Sequence, residues 1–474
     1  MAEEQNLYTG SLLYKEITFT FAFDKYELRL IPPKEKRHVV EWNWMMKEIR
    51  PGVSTFAGPI SVEEPFLVGY CFETKANIIF IPKQGSTLGL YNSVVRISLA
   101  AYIICKYDRD MIDRVSFSCP EINYIHPVNQ AVSYVIPTDD SRNNGVITVS
   151  TQNFDSTTTE GQIFMVDNKE IFVYFGITRT VHSNNHNPPL RLDSSLVFEF
   201  EATNDYSFIY RLWMVARNFI SFLCYRRNIV MPQIDISAPY DKDKHETFAT
   251  MYLMDQDCEA ESDTLIEGRY IKQAYISGHE GEILSDIAQD TLYLRHLPDT
   301  YRSGRHINAA RFIMITAAFE WEFRRLYPEG VLKSDATIKA ETSVSERIQE
   351  HIDESHGKQK KIYKFLKRLV KSDSLQSEIV HIGNELSDII GIFGEHLYRL
   401  NGQELKYSQM GQRISDQRNH FAHGDLDKKF VGLSLLDLIF LELVVYAMQL
   451  KFYGIEDIAI QRAINELFQQ RFAI

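Results

Sequence analysis

Ile17, Phe19, Phe21 and Phe23 alternate with Thr18, Thr20 and Ala22, and after Asp24-Lys25 the alternation resumes as Tyr26, Leu28 and Leu30 against Glu27 and Arg29. A period of two puts every second side chain on the same face, so this stretch predicts two strands joined by a turn, buried on one side and ended by Pro32-Pro33. The same signal continues through the first half of the chain. Residues 66–72, 77–81, 94–104, 114–118, 146–150, 162–166, 170–177 and 195–201 read as strands, separated by polar loops such as SRNNG, TQNFDSTTTEG and SNNHNPP. Many short strands with such loops predict a β-sandwich or a bent sheet with long insertions. One helix interrupts them, at residues 206–225, where the period lengthens behind an Asn204-Asp205 cap signal.

The period changes for good near residue 274, after which the chain reads as helix almost throughout. The stretch between, residues 237–268, is charged and weakly patterned apart from a strand at 247–253, and a domain junction falls there. With 474 residues the chain exceeds one ordinary core. The expectation is an α+β protein of two domains: a β-rich domain over residues 1–270, then an all-helical bundle over residues 271–474. Residues 308–327 are apolar nearly all the way round and predict the central helix of that bundle. Glu320 lies inside this run, either paired one turn on with Arg324 or as a buried carboxylate orienting a site. Residues 433–450 are strongly apolar yet include Asp437 and Glu442, which a lipid-facing span tolerates poorly; they predict a buried helix and no membrane partner.

The first ten residues, MAEEQNLYTG, lack a basic segment followed by an apolar one, so no signal peptide is expected. Five scattered cysteines with no CxxC pair predict a reduced, cytoplasmic protein without a disulfide framework or zinc site. His182, His186, His351 and His356 have no acidic or cysteine partner at ligand spacing and read as solvated. Nucleotide and zinc-hydrolase motifs are missing, so neither a metal nor a cofactor is expected.

A net charge of −12 argues against a nucleic-acid partner until it is resolved by region. Residues 301–474 carry 24 Lys+Arg and 23 Asp+Glu, so the acidity lies wholly in the first 300 residues. The most basic stretch, KQKKIYKFLKRLVK, offers Lys358, Lys360, Lys361, Lys364, Lys367 and Arg368 to an RNA backbone. Ile362, Phe365, Leu366 and Leu369 recur in it at helical spacing, so it is an amphipathic helix first, and its basic face could equally be solvated.

The chemistry concentrates in RNHFAH, Arg418 to His423. Histidine exchanges a proton near neutrality, and the planar guanidinium holds a phosphate through two parallel hydrogen bonds. Asn419 and His423, four apart, share a helix face. Arg418 and His423 lie about 140° apart on an ideal helix, so the arginine reaches round, the helix starts here, or a second subunit completes the site. Asp416 is a candidate N-cap for such a start, and Gly424-Asp425 could stop the helix.

An Arg, a polar residue, a few more and a His, near the end of a helical region and with ARFIMITAAFEWEFRRLYP upstream, resembles the HEPN ribonucleases, in particular the ApeA-like HEPN proteins of bacterial anti-phage defence. By that resemblance Arg418 and His423 match the ends of the family motif and Asn419 its polar second position, while His420 and Glu320 are supporting candidates. The resemblance implies a metal-independent endoribonuclease, working as a homodimer through its helical domain. It would cut RNA, with tRNA a candidate substrate, by 2′-OH attack, leaving 2′,3′-cyclic phosphate and 5′-OH ends. The β-rich domain would then be a sensor or brake for a phage-derived trigger. Two other readings stay open: a non-catalytic dimerising protein whose β domain recognises a protein or carbohydrate, and a HEPN toxin held by a separate antitoxin.

Overall fold

The computed structural model is described over residues 7–24, 27–44, 46–56, 62–85, 89–91, 93–109, 111–135, 148–183, 188–241, 244–254, 260–331, 333–371, 373–424 and 430–474. The protein is α+β, β-rich in its N-terminal region and all-helical in its C-terminal region. It divides into two compact units, residues 1–267 with 272–289 and residues 268–271 with 290–474.

Among the described residues the first unit is built on a 13-stranded sheet, paired antiparallel. Six strands close on themselves in the order Val94–Cys105, Glu27–Ile31, Ile17–Phe23, Tyr8–Tyr14, Leu67–Cys71, Ala76–Pro82. Closure depends on the length of Val94–Cys105, which pairs with Glu27–Ile31 along residues 95–98 and with Ala76–Pro82 along residues 99–104. The expectation of a sandwich or bent sheet is thus corrected to a barrel with extra strands. Alternation could not make that distinction, because open and closed sheets alike bury one face. The interior is aromatic: Phe23 packs on Phe80 and Tyr102 with ring centroids 5.3 and 4.7 Å apart, and Phe21 on Phe80 at 5.2 Å. Gly10 admits the Phe21 ring, since a Cβ there would lie 2.4 Å from its Cε1.

From the barrel the sheet continues through Lys244–Leu253, Gln233–Asp241, Ile112–Phe117, Leu190–Thr203, Lys169–Val181 and Gln162–Val166. One face of this run is largely apolar, with Val115, Phe117, Phe175, Phe198 and Ile236 all buried. It receives the Tyr206–Cys224 helix, where Phe219 meets Phe175. Asp205 caps that helix by accepting from the Ser207 and Phe208 amides. The short Glu280–Ala288 helix belongs to this unit as well, and Gly281 lets it sit against the Ile163 carbonyl.

In the second unit the Ser434–Phe452 helix is buried almost all round and packs on Ala309–Leu326, Ser387–Leu400, Tyr407–Ala422 and Asp457–Leu467. Most of its buried polar groups are met by neighbours: Asp437 by Arg413 and Tyr398, Glu442 by Arg311, and Gln449 Nε2 by the Tyr293 carbonyl and Glu322, while Gln449 Oε1 has no partner among the described residues. Ala309–Leu326, expected to be the central helix, packs on Ser434–Phe452, Tyr407–Ala422 and Leu375–Glu385. No helix among the described residues is long and apolar enough to cross a membrane. Asp335–Glu354 and Gly357–Lys371 pack on each other as a helical hairpin.

Candidate active site at the end of the 407–422 helix

Met410, Gly411, Ile414, Gln417 and Phe421 form the buried stripe of the Tyr407–Ala422 helix, at the spacing a one-sided helix requires. Gly411 brings the backbone close to its neighbour, for a Cβ there would lie 3.0 Å from Gln376 Cα on the Leu375–Glu385 helix. The helix begins at Tyr407, whose ring stacks on Phe440 with centroids 6.4 Å apart. Asp416 is therefore no N-cap. It lies mid-helix and accepts from Gln412 Nε2 at 2.8 Å, so the RNHFAH run closes a helix rather than opening one.

The stop is local. His423 is the C-cap residue, with its N–H on the Asn419 carbonyl at 3.1 Å. Gly424 follows at φ +92°, in the left-handed region that ends many helices, and its N–H reaches the Phe421 carbonyl at 3.1 Å. Asp425 lies outside the described residues. Asn419, His420 and His423 are all exposed, while Arg418 is half-buried. The His423 ring makes no hydrogen bond or ion pair with any described residue.

Arg418 Nη2 lies 3.4 Å from Glu320 Oε2 on the Ala309–Leu326 helix, with the two side chains 40% and 22% exposed. Of the two readings for Glu320, the partner one turn on is not the one realised: the carboxylate reaches across to the motif arginine. The buried carboxylate of this helix is Glu322, 1% exposed, which takes the Tyr293 amide, Gln449 and Arg325. Burial still pushes the Glu322 pKa up, against the pull of Arg325.

A third acid stands beside Glu320. Glu378, in the first turn of Leu375–Glu385, is 6% exposed, and its Oε2 has no hydrogen-bond partner. Burial first, then the negative charge of Glu320, pushes its pKa up to about 7; Arg324 pulls the other way and Asp373 adds to the rise. Sequence reasoning passed over Glu378. The signal was there, because Leu375, Ile379 and Ile382 fall at buried helical spacing and Glu378 shares their face.

The basic residues Lys358, Lys360, Lys361, Lys364, Lys367 and Arg368 all lie on the Gly357–Lys371 helix, which packs on Asp335–Glu354, whereas the motif helix packs on other elements. Lys367 is occupied by Gln349 at 2.6 Å. The helix is amphipathic as expected, but its apolar side is in solvent: Ile362 is 60%, Phe365 52% and Leu366 40% exposed. Among the solvated histidines, His351 stacks on Tyr363 with ring centroids 5.1 Å apart; His186 lies outside the described residues. The described residues hold no group of three His, Cys, Asp or Glu able to bind a metal ion. No protein-family model, curated protein or solved structure matches the chain.

Proposed function

We propose that the helical unit is a HEPN-type endoribonuclease in which Arg418, Asn419 and His423 carry the reaction. One observation supports this most: a helix stops at His423 and brings an imidazole with no hydrogen bond among the described residues, an amide and a guanidinium held by Glu320 to the same solvent-facing end. On RNA, His423 would take the 2′-OH proton or protonate the leaving 5′ oxygen, a contribution of roughly 10²–10⁴-fold. Arg418 would stabilise the charge gathering on the phosphorane. Glu320 keeps the arginine in place through a pair weak enough to yield to phosphate, since half-exposed ion pairs are worth about 0–1 kcal/mol. The products are a 2′,3′-cyclic phosphate and a 5′-OH. The β-rich unit is then the regulatory part of a cytoplasmic anti-phage effector, answering to a phage-derived trigger.

A second copy of the chain completes the reading. The Gly357–Lys371 helix carries seven Lys+Arg and no acid, whereas Asp335–Glu354 carries six acids against two bases and exposes Ile338 and Val344. Two hairpins packed so that each basic helix meets the acidic helix of the other copy would cover both apolar sides and cancel charge; basic against basic would repel. Incubating the purified chain with total RNA in EDTA, then testing the new ends for cyclic phosphate, examines the proposal. Absence of cleavage under any condition that keeps the protein folded would favour the non-catalytic binding protein.

A further inference from the structure

The apolar face of the extended sheet is covered by the Tyr206–Cys224 helix, and its opposite face forms the floor of a cleft of about 740 Å³. That size falls within the few hundred to about 1,000 Å³ typical of ligand pockets. Alternate residues of five adjacent strands line it. Across the floor Ser116 pairs with Asp235, and Arg114 with Ser237, which pairs in turn with Thr247.

A solvent-facing sheet surface needs no ligand to explain it, but this one has an unusual composition. Among the described residues no lysine and no glutamate lines the cleft, although both are common in the chain. Eight serine and threonine residues line it instead, with the amides of Asn123 and Gln233. The Ser194 hydroxyl is buried on His126, Thr178 donates to the Asp193 carbonyl, and Ser237 and Thr247 pair with each other, so Ser116, Ser118 and Thr180 lead the polar floor. Short side chains leave the volume open, and hydroxyls and amides both donate and accept.

Charge excludes an anion as the intended occupant. The lining holds two arginines and two aspartates, so their formal charges cancel. Arg191 is already 2.7 Å from Asp193, Arg114 is 3.6 Å from Glu199, and the wall residue His245 is 3.4 Å from Asp113. A phosphate site would present unmatched cations or a nest of amides.

One aromatic ring stands at the wall. Phe154 is 43% exposed, and its backbone is held firmly: the carbonyl accepts from the Thr157 amide at 3.0 Å, Thr157 Oγ1 at 2.9 Å and Thr158 Oγ1 at 3.1 Å. Arg179 fixes the same loop through the Gln152 carbonyl. An exposed ring on an anchored loop beside hydroxyls is a platform for the C–H face of a sugar.

We infer that this cleft binds a neutral oligosaccharide, its hydroxyls read by the Ser/Thr floor and one ring stacked on Phe154. The inference stands apart from the ribonuclease reading, since it concerns the other unit and its test involves no RNA. The full chain is applied to a printed array of neutral and of anionic glycans, and the ligands retained are remeasured by calorimetry alongside ATP and inorganic phosphate. At least one neutral glycan is expected to bind saturably, weakened about tenfold by Phe154→Ala and also by Ser116→Val, with the fold unchanged by circular dichroism. Phe154 is exposed, so its alanine variant keeps the test valid if Ser116→Val does not fold. Retention of no neutral glycan, binding of ATP, phosphate or anionic glycans alone, or affinity untouched by Phe154→Ala would each overturn it.

Discussion

Arg413 and Arg418 stand on the same helix little more than one turn apart, and the fold treats them differently. Arg413 meets Asp437 through two nitrogens, Nε and Nη2, both at 2.7 Å, and Asp437 is fully buried with the Tyr398 hydroxyl on it as well. Among the described residues Arg418 has one ion pair, at 3.4 Å, with a carboxylate that is itself partly exposed. The first is a cross-link between helices that cannot be released without leaving a charge stranded in the core. The second holds its charge in readiness at the surface. A site that must take and release a phosphate needs the second arrangement, supported on a helix kept in place by the first.

The largest effect should fall on the cross-link. Arg413→Ala leaves the fully buried Asp437 carboxylate without its cation and is expected to cost about 3–5 kcal/mol in urea unfolding; a cost below about 1 kcal/mol would mean the two arginines are not different in kind. Next comes Arg418→Ala, expected to lower RNA cleavage roughly 10²–10³-fold while changing stability by less than about 1 kcal/mol. Arg418→Lys should be nearly as inactive, because it keeps the charge but loses the planar fork. Retention of most activity in the lysine variant would leave Arg418 as a simple point charge.

Glu378→Gln sharpens the contrast from the side of Glu320. The wild-type carboxyl has its folded pKa raised to about 7, above that of the unfolded chain, so the folded state holds its proton longer. Its neutral form is favourable to folding at low pH, and stability falls as pH rises from the unfolded pKa through about 7. The glutamine variant should lose that dependence and gain roughly 1–3 kcal/mol at pH 8. Parallel stability–pH curves for the two proteins would show that Glu378 is not the buried, unpaired acid described. The smallest effect on the fold should come from Phe365→Glu, which leaves the circular-dichroism spectrum unchanged because the ring is exposed in the single chain. In sedimentation it should shift the chain from dimer to monomer; an unaltered distribution would put any dimer contact elsewhere.

Much of the fold was legible because period reports burial. Strands at residues 17–23 and 162–166 appear as Ile17–Phe23 and Gln162–Val166, and the helix expected at residues 308–327 runs Ala309–Leu326 behind its Asn308 cap. Barrel closure was not legible, since it depends on one strand being long enough to lend its two halves to different partners. Residues 233–241 were missed as a strand because Pro239 and the charged ends hide the alternation. In the candidate site the motif residues could be read directly, but the Glu320–Arg418 pair spans 98 positions and no local pattern announces it. Asp416 misled for the converse reason: an N-cap residue type means a helix start only where no buried stripe precedes it, and Met410 and Ile414 do.

The central claim is that the end of the 407–422 helix cuts RNA by proton transfer through His423. The measurement that tests it most directly compares wild type with His423→Ala on total RNA in EDTA, with the new ends probed for 2′,3′-cyclic phosphate and both proteins checked for matching melting curves. Wild type should give cyclic-phosphate ends, and the variant should be slower by about 10²–10⁴-fold with its fold intact, since His423 is exposed. Equal cleavage by the two folded proteins would contradict the account.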